Sequence, residues 1–347
     1  MFGPRAHIDL NAVADNWRMF SRRAAPGQAA GVVKADAYGL GAAKVAQKLA
    51  KAGCKRFYVA WPREGVELRK AIGPDFEIAI FHGPSAESLA DFQTYKLEPV
   101  LNSLEQIALW SGGPASLHLD TGMNRLGVPE SQWAEATKKI PKPVRLLSHL
   151  ASADEPDDAK NAQQLDAFNR SRQLWPEAPR SFAATGGAYL GRGYAMDEVR
   201  PGIGLYGGGP VPASGDGPKT VLRLTAPILQ VRTVKAGDTA GYGGAWTAAT
   251  DCTLATVGLG YADGFLRAAS NKGMGVIGGK RRPIVGRVSM DLIVVDVTGT
   301  NAKPGDDIEF VGPDMPLSEA ATSMGTIDYE FLTRLGSRIE RVYSGAE

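Results

Sequence analysis

A lysine beside a glycine-rich turn is the residue of this chain best suited to chemistry. Residues 31–41 read GVVKADAYGLG, so Lys34 ends a short apolar run and Tyr38 follows four residues later among glycines. A glycine-rich loop lets the backbone approach a ligand closely, and an amine there can bind an anion or attack a carbonyl carbon. On this segment alone, a covalent or cofactor-binding role and a solvated strand end both stay open.

Further polar residues end other predicted strands. Between about residues 30 and 210, short apolar runs alternate with helix-like segments, a pattern that predicts eight strands in a parallel (β/α)8 barrel of the TIM type. In such barrels the residues at the C-terminal ends of the strands line the active site. Those ends carry Lys34, Asp120, Thr121, His149, Thr185 and Arg200. One charge at a strand end is often a cap in solvent, but several that converge by topology predict a site.

The amine and its neighbours fit one class of cofactor. A lysine beside an anion-binding loop suits a Schiff base with a phosphorylated aldehyde, for which pyridoxal 5′-phosphate is the candidate. Its phosphate would need hydroxyls and backbone amides, which Tyr38, Thr185, Gly202 and Ile203 could supply. Because arginine stays protonated, Arg200 facing the pyridine nitrogen would leave that nitrogen unprotonated and favour proton removal and return over transamination.

A second domain follows a break in composition. Residues 210–220, PVPASGDGPKT, are rich in proline, glycine and small polar residues, and the chain beyond them is rich in β-formers separated by glycine-containing turns. We predict a barrel domain over residues 1–218 and a mainly β domain over residues 219–347, closed by a helix-like segment at 317–335. For the first ten or so residues, packing on the β domain is the other possibility.

The overall composition argues against several classes of function. With 44% hydrophobic and 22% charged residues, a formal net charge of +2 and no polybasic run, the chain is typical of a globular protein that binds neither nucleic acid nor membrane surfaces. Its apolar runs are strand-sized, and its start lacks the order of a signal peptide. Two distant cysteines, and four histidines without CxxC or HxxxH spacing, predict a cytoplasmic protein with neither a disulfide framework nor a metal site.

Several sequence blocks carry a resemblance to a known family. In chain order they read RAHIDLNAVADNW, VVKADAYGLG, DTGMNRLG, SHLASAD, VRPGIGLYG, GYGGAW, GLGYADG and GRVSMD. The chain thereby resembles bacterial alanine racemases, which are pyridoxal-phosphate enzymes of fold type III, nearly from end to end. The resemblance implies interconversion of L-alanine and D-alanine by a two-base mechanism, which supplies D-alanine for peptidoglycan or serves alanine catabolism.

The resemblance implies which residues act on the cofactor and the substrate. Lys34 resembles the lysine that binds the cofactor and that removes or returns a proton on the D-face of the α-carbon. Tyr261 resembles the opposing base on the L-face, although its position alone would favour a core tyrosine of the β domain. His149 and Arg200 resemble the pair beneath the cofactor ring, in which the histidine holds the arginine.

The resemblance also implies a substrate pocket shared between two subunits. Arg125 resembles the residue that contacts the phenolic oxygen of the ring and supports the substrate carboxylate, which the backbone N–H of Met290 would also meet. Tyr242 resembles a gate tyrosine that restricts the pocket to a methyl-sized side chain. A polar entrance corridor is implied for Asp154, Arg267, Arg287 and Asp291. Because this family places β-domain residues in the barrel of the other subunit, we expect a head-to-tail homodimer with composite sites.

The chain departs from the family pattern at four positions. His118 stands where many relatives have a lysine that is carbamylated to orient the arginine, so Arg125 must be held by His118 itself, by an anion or by water. Ala184 loses an amide contact to phosphate, and Leu40 replaces a histidine. Ser337 replaces a second gate tyrosine, which could widen the entrance and relax specificity.

Three other functions stay open. A broad-specificity amino-acid racemase would depend on the gate at Tyr242 and Ser337. A non-catalytic pyridoxal-phosphate carrier would resemble the barrel alone, and the second domain argues against it. A decarboxylase of the same fold type would need a cysteine-bearing motif where Ser289 stands, and Tyr261 lies in a racemase-like block.

Overall fold

A computed structural model describes residues 3–111, 113–211 and 215–346 of the chain. The chain forms two compact units, which we call the β unit and the barrel unit. The β unit comprises Met1–Ala12, Tyr206–Gly208 and Lys219–Glu347, and the barrel unit comprises Val13–Leu205 and Gly209–Pro218. Three residues of the proline- and glycine-rich segment between the predicted domains, 212–214, lie outside the described residues.

The chain begins with strand β1 (Arg5–Asp9) and helix α1 (Leu10–Ala24). The barrel unit then contributes a nine-stranded parallel sheet. Its strands are β2 (Gln28–Ala29), β3 (Gly31–Val32), β4 (Arg56–Val59), β5 (Glu77–Ile80), β6 (Glu98–Leu101), β7 (Ser116–His118), β8 (Leu146–Leu147), β9 (Arg180–Ser181) and β10 (Glu198–Val199). In the sheet they are ordered β2–β10–β9–β8–β7–β6–β5–β4–β3.

The sheet closes on itself around Ala30. Only this residue separates β2 from β3, and the two strands pair with opposite ends of the sheet. Gln28 lies opposite Glu198 of β10, whereas Gly31 lies opposite Phe57 of β4. The two short strands therefore occupy one position of the barrel, and the predicted (β/α)8 architecture with eight strand positions is confirmed.

Short helices connect the barrel strands. They are α2 (Lys34–Tyr38), α3 (Ala42–Ala52), α4 (Pro62–Ile72), α5 (Leu89–Thr94), α6 (Leu104–Leu109), α7 (Trp133–Lys139), α8 (Ala159–Arg170) and α9 (Arg192–Ala195). The crossover before β10 consists of a 3₁₀ turn, Gly186–Tyr189, and the single turn of α9. None of the helices in the described part of the chain is long and apolar enough to cross a membrane.

Buried ion pairs satisfy the polar groups at the N-terminal ends of the barrel strands. Arg56 Nη1 donates to both carboxylate oxygens of Glu98 at 2.9 Å, and Tyr58 Oη donates to Glu198 Oε1 at 2.7 Å. Breaking one partner of such a buried pair is strongly destabilising, so these residues hold the barrel closed at this end. The residues predicted to carry chemistry lie at the opposite ends of the strands.

The β unit is mainly β structure, as predicted. After β1 its strands are β11 (Leu222–Val234), β12 (Thr239–Ala240), β13 (Trp246–Thr247), β14 (Cys252–Val257), β15 (Met274–Ile277), β16 (Lys280–Pro283), β17 (Ile293–Asp296), β18 (Asp307–Val311) and β19 (Glu340–Ser344). Its helices are α10 (Leu317–Ser323) and α11 (Asp328–Thr333). The main path of the sheet runs β16–β15–β18–β11–β1–β19, and β14 joins β11 to β17.

The long strand β11 belongs to two parts of this sheet. Its first half pairs with β1 and β18, and its second half pairs with β14. The register shifts between Ile228 and Gln230, where a bulge bends the strand. This bend lets one strand serve both parts of the β unit.

Candidate active site

A left-handed turn carries the lysine that the sequence singles out. Four consecutive non-glycine residues of α2, 35–38, have φ between 53° and 57°. Each such residue costs about 1–2 kcal/mol in the left-handed region, so contacts outside the turn must stabilise it. Lys34 directly precedes the left-handed stretch and Tyr38 ends it.

The surroundings of Lys34 favour its neutral form. Its Nζ lies 5.8 Å from the centroid of the Phe81 ring. Burial and then the positive charge of Arg125 lower the pKa of the Lys34 amine, whereas Glu64 acts in the opposite direction. A lowered pKa increases the fraction of neutral amine near neutral pH, which both a nucleophile and a general base require.

Gly202 and Gly204, which follow β10, lie against the hydroxyl-bearing side chains of Tyr38 and Thr185, and we call this group the glycine cup. Thr185 Oγ1 accepts hydrogen bonds from the backbone N–H groups of Gly202 at 3.2 Å and Gly204 at 3.1 Å. A Cβ atom on Gly202 would clash with the Tyr38 hydroxyl, and one on Gly204 would lie 2.8 Å from the Thr185 methyl group. A larger residue at either position would therefore require these neighbouring side chains to move. The structure brings the predicted phosphate ligands Tyr38, Thr185 and Gly202 together, with Ile203 next in the chain.

The buried guanidinium of Arg200 is held by two neighbouring strand ends. Its Nη1 donates to Ser181 Oγ at 2.6 Å, and its Nη2 donates to the carbonyls of Ser148 at 2.5 Å and Phe182 at 3.4 Å. Burial lowers the pKa of Arg200, but a guanidinium remains protonated. The sequence predicts that His149 holds Arg200, whereas these described hydrogen bonds come from partners that the sequence did not indicate.

Two buried histidines are neutral. Burial, followed by the charge of Arg200, lowers the pKa of His118 and of His149 to about 3. His118 Nδ1 lies 2.8 Å from Asn102 Oδ1. The Asn102 amide group donates to the carbonyls of Phe81 at 2.9 Å and Val100 at 2.8 Å, so its oxygen accepts and His118 Nδ1 carries the proton. The lone pair of the His118 ring therefore lies on Nε2.

Asp120 holds the loop that carries Arg125. Its carboxylate accepts hydrogen bonds from the backbone N–H groups of residues 122–124 at 2.9–3.2 Å. Such bonds form an Asx-type turn, so this strand-end carboxylate orders the loop. The charge of Arg125 contributes to the lowered pKa of His118, so the two side chains interact electrostatically.

We expect the two neutral histidines to make the protein acid-sensitive. Their pKa is about 3 in the folded chain and about 6.5 when unfolded, so the unfolded chain binds more protons between these values. Stability is therefore complete above about pH 6.5 and falls as the pH is lowered, by about 2 kcal/mol per histidine at pH 5.

Urea unfolding at pH 7 and pH 5 measures this loss, with His118→Asn as the matched variant. The asparagine amide keeps a donor toward Asn102 but does not titrate. The variant is expected to lose about 2 kcal/mol less than the wild type over the same change of pH. Equal losses in the two proteins would contradict a neutral His118.

In the β unit, Tyr261 and Met290 lie on adjacent, hydrogen-bonded segments. The N–H of Tyr261 donates to the Ser289 carbonyl at 3.0 Å, and that of Ala262 donates to the Met290 carbonyl at 2.9 Å. A Cβ atom on Gly260 would clash with the Met290 carbonyl, so glycine permits this approach. Tyr261 is 43% exposed and Met290 is 53% exposed. Tyr261 is therefore not a core residue of the β unit.

The predicted gate and two entrance arginines lie on linked loops of the same unit. Tyr242 is 71% exposed. A Cβ atom on Gly243 would lie 3.2 Å from Arg287 Nη1, so this arginine follows the turn that Tyr242 begins. Ser270 Oγ donates to the Arg267 carbonyl at 2.6 Å and accepts from the first N–H after Arg287 at 3.0 Å. These bonds tie the two arginine-bearing segments together.

An arginine that the sequence did not indicate joins the Tyr261 and Met290 segments. Arg338 Nη1 donates to Asp291 Oδ1 at 2.7 Å, and its Nε lies 3.0 Å from Asp263 Oδ1. The other oxygen of Asp263 accepts from the Gly260 N–H at 2.8 Å. The predicted entrance residue Asp291 is thus paired within its own unit. Arg338 and Asp291 are 47 residues apart in sequence, so no local pattern could have indicated the pair.

The predicted site residues divide into two groups, one in each unit. The barrel unit holds Lys34, Tyr38, Arg125, His149, Asp154, Thr185, Arg200, Gly202 and Ile203. The β unit holds Tyr242, Tyr261, Arg267, Arg287, Met290 and Asp291. The supporting residues that sequence reasoning missed are Glu64, Asn102, Ser148, Ser181 and Arg338.

Family models match both parts of the chain. The model described as alanine racemase, N-terminal domain, matches residues 8–210, and that described as alanine racemase, C-terminal domain, matches residues 221–343. The alanine racemase of Dinoroseobacter shibae is 45% identical over 345 residues, covering 97% of each chain. That of Rhodospirillum rubrum is 42% identical over 356 residues, covering 97% of this chain and 95% of the relative.

Solved structures of the same family superpose on the whole chain. The alanine racemase of Bartonella henselae with covalently bound pyridoxal phosphate is 37% identical and has a TM-score of 0.92, covering 99% of this chain and 100% of that one. The biosynthetic alanine racemase of Pseudomonas aeruginosa is 33% identical, with a TM-score of 0.93 and the same coverage.

Proposed function

The chain belongs to the alanine racemase family, and from this premise we propose how its own residues interconvert L-alanine and D-alanine. The enzyme depends on pyridoxal 5′-phosphate. The observation that carries the residue assignments is the approach of the Lys34–Tyr38 turn to the glycine cup, where the Tyr38 hydroxyl fills the space beside Gly202. This approach supports the proposal that the Lys34 amine and the phosphate-binding groups act together at one end of the barrel.

The residues of the barrel unit fit this cofactor. Lys34 would hold it covalently, and the hydroxyls of Tyr38 and Thr185 with the backbone of Gly202 and Ile203 would hold its phosphate. The fit is supported by the close approach of Tyr38 and Thr185 to Gly202 and Gly204 and by the Lys34 amine, whose pKa is lowered. When bound, the cofactor withdraws electrons from the substrate α-carbon and so makes its proton removable.

Racemisation requires proton transfer on both faces of the α-carbon, and two bases provide it. In the direction from L-alanine, Tyr261 removes the α-proton from the L-face and Lys34 delivers one to the D-face. The reverse reaction exchanges these roles. The exposure of Tyr261 on its own unit supports its action on a partner molecule rather than within a core.

The chemistry is kept to proton removal and return by a permanent positive charge. The guanidinium of Arg200 is buried and held by Ser181 and Ser148, so it can donate a hydrogen bond toward the ring nitrogen but cannot give up its proton. With the cofactor bound, Arg200 would leave the ring nitrogen unprotonated, which would disfavour transamination. His149 is neutral and contributes no competing proton near neutral pH.

We propose that residues of the barrel unit of one subunit and of the β unit of its partner bind the substrate. Arg125 and the backbone N–H of Met290 are proposed to bind the substrate carboxylate, and Tyr242 limits the side chain to a methyl group. The entrance corridor is proposed for Asp154, Arg267, Arg287 and Asp291. A broad-specificity racemase is not favoured, because the full-length relatives are named alanine racemases.

We propose a head-to-tail homodimer with composite sites. Its support is the exposure of Tyr242, Tyr261 and Met290 on the β unit, at 71%, 43% and 53%. Large apolar side chains exposed together mark a contact surface, and a general base needs a site from which water is excluded. In such a dimer each barrel would receive these residues from the partner subunit.

A panel of single L-amino acids tests the function and its specificity. Purified protein with added pyridoxal phosphate is expected to yield D-alanine, and kcat/KM for L-2-aminobutyrate is expected to be about 10–200-fold lower, because one methylene meets the Tyr242 gate. Chiral chromatography measures both products. Equal turnover of many amino acids would contradict the gate, and the absence of any D-product would contradict the racemase assignment.

The proposal also covers the domain bounds, the use of the product and the compartment. Residues 1–218 and 219–347 are proposed as barrel and β domains, with the first ten or so residues packed on the β domain, where β1 pairs with β11 and β19. The product serves peptidoglycan synthesis or alanine catabolism. The chain works in the cytoplasm, a reducing compartment, which is consistent with the free thiols of Cys54 and Cys252.

A further inference from the structure

One carboxylate joins two neighbouring strand ends of the barrel. Glu64 lies in the first turn of α4, and its Oε1 accepts a hydrogen bond from the Ala35 N–H at 2.6 Å. Its Oε2 accepts from the N–H groups of Ala60 and Trp61, both at 2.9 Å. Glu64 thereby connects the residue directly after Lys34 to the segment between β4 and α4.

The bonds from Ala60 and Trp61 are ordinary helix capping, but the bond from Ala35 is not. A glutamate at the third position of a helix commonly accepts from the N–H groups just before that helix. The N–H of Ala35 belongs to another element, 29 residues away, and a cap does not require it. Glu64 Oε1 therefore makes a contact outside its own helix that capping does not explain.

The strained left-handed turn explains the hydrogen bond between Glu64 and the Ala35 N–H. The first N–H groups of a helical turn have no partners within it, and Ala35 stands at the start of the left-handed stretch 35–38. Within the turn, the Ala37 N–H reaches the Val33 carbonyl at 2.9 Å. A charged acceptor makes a stronger hydrogen bond than a neutral one, so Glu64 offsets part of the backbone strain at its first residue.

A second carboxylate links the turn to the next helix. Asp36 Oδ1 accepts from the Ala42 N–H at 2.7 Å, at the start of α3. Gly39, with φ of 84°, follows the left-handed stretch. Of these two carboxylates, Glu64 is the one whose contact adjoins Lys34.

We propose that Glu64 is a positioning residue of the racemase, which fixes the left-handed turn between Lys34 and Tyr38 and so positions the Lys34 amine. This inference rests on the proposed role of Lys34. The negative charge of Glu64 also opposes the effect of burial on the pKa of the Lys34 amine. Glu64 therefore influences both the direction and the protonation of the amine without contacting the reacting atoms.

The test compares Glu64→Gln with Glu67→Gln on the same helix. Glutamine has one acceptor oxygen, and its NH2 group would oppose an N–H donor. Glu67 is exposed and pairs only locally with Lys70 at 2.8 Å, so its variant is the matched control. In Glu64→Gln we expect amide exchange at residues 35–38 to be about tenfold faster and kcat to fall about tenfold, with a smaller change in KM for alanine.

A second measurement reports on the amine and does not depend on activity. Removing Glu64 removes a charge that raises the pKa of Lys34, so the amine in cofactor-free protein becomes more reactive at pH 8. Competitive acylation with acetic anhydride, read by mass spectrometry, is expected to label Lys34 faster in Glu64→Gln than in Glu67→Gln. If the substitution only loosened the fold, acylation would become faster at many lysines and not at Lys34 in particular.

A second substitution that relieves the backbone strain is expected to restore part of the activity lost in Glu64→Gln. Ala35→Gly removes the Cβ penalty at φ 53°, so it is expected to restore several-fold of the lost kcat when added to Glu64→Gln. Wild-type exchange and kcat in Glu64→Gln would overturn the proposal. If Glu64→Gln does not fold, Glu64→Asp, which is too short to span both elements, is compared by the same readouts and the same criteria.

Activity and exchange measurements together distinguish a wrong role for Lys34 from a wrong role for Glu64. If Lys34 were not the catalytic lysine, Lys34→Ala would keep its activity, while the exchange rates of residues 35–38 in Glu64→Gln would still rise. If Glu64 did not position the turn, Lys34→Ala would be inactive and those exchange rates would not change.

Discussion

Replacement of Lys34 by alanine is expected to abolish racemisation and covalent attachment of the cofactor together. The amine would hold the cofactor and would also transfer the proton on the D-face, so its loss removes two functions at once. We expect kcat/KM to fall by about 1,000-fold or more. The substitution leaves the buried barrel strands unchanged, so the loss should not reflect unfolding.

Two measurements on the same samples check this result. Visible absorbance after gel filtration, with mass spectrometry after borohydride reduction, reports the covalent link, and chiral chromatography reports turnover. Lys44→Ala, at an exposed position of α3, is the control and should match the wild type in both. A Lys34→Ala protein that retains a covalent cofactor on another lysine, or that retains turnover, would refute the assignment.

The mouth of the barrel suits anionic ligands because its arginines are positively charged. The guanidinium groups of Arg200 and Arg125 contribute this charge, and after burial each of them lowers the pKa of His149, which is neutral. Both a phosphate and a substrate carboxylate match such a field. Burial and then the charge of Arg200 also lower the pKa of His118, so that this ring is neutral and offers a lone pair instead of a further positive charge.

The barrel could be predicted because its signal is local and repeated. Apolar runs of strand length at regular spacing require crossovers, and crossovers of this length enforce parallel strands. The split of the first strand around Ala30 could not be predicted, since it depends on which strands meet when the barrel closes. The bend in β11 likewise depends on pairing with three different partners.

The left-handed conformation of the turn could not be predicted from its own residues. Residues 34–38 read KADAY, which has the propensity of a right-handed helix, and only Gly39 and Gly41 indicated an unusual backbone. Its handedness depends on Glu64, a residue that no spacing connects to the turn. Ser181 and Asn102 were missed for the same reason, because each acts through a neighbouring strand rather than through its own sequence context.

Tyr261 illustrates the opposite case, in which family resemblance was more informative than position. Position alone favours a core tyrosine, yet the side chain is 43% exposed and its backbone is fixed against the Met290 segment. A rigid backbone with an exposed phenol is suited to a base that acts on a neighbouring molecule. This contrast leads to the sharpest test of the dimer.

Mixing two inactive variants is expected to restore activity. Lys34→Ala and Tyr261→Phe homodimers each lack one base in both sites. After subunit exchange at equal amounts, half of the dimers are mixed, and each mixed dimer has one site with both bases intact if Tyr261 serves the partner's barrel. About a quarter of wild-type activity should therefore appear. If both bases came from one subunit, every site would lack one of them.

Subunit exchange is started by brief dilution into mild denaturant and followed by native mass spectrometry, while chiral chromatography records turnover. Tyr261→Phe mixed with itself, and Lys34→Ala mixed with itself, are the controls and should stay inactive. The α-deuterium isotope effect on L-alanine in the restored sites should equal that of the wild type, because the same phenol removes the proton. Mixed dimers without activity would show that the two bases belong to one chain, and the composite site would then be wrong even if both residues are catalytic.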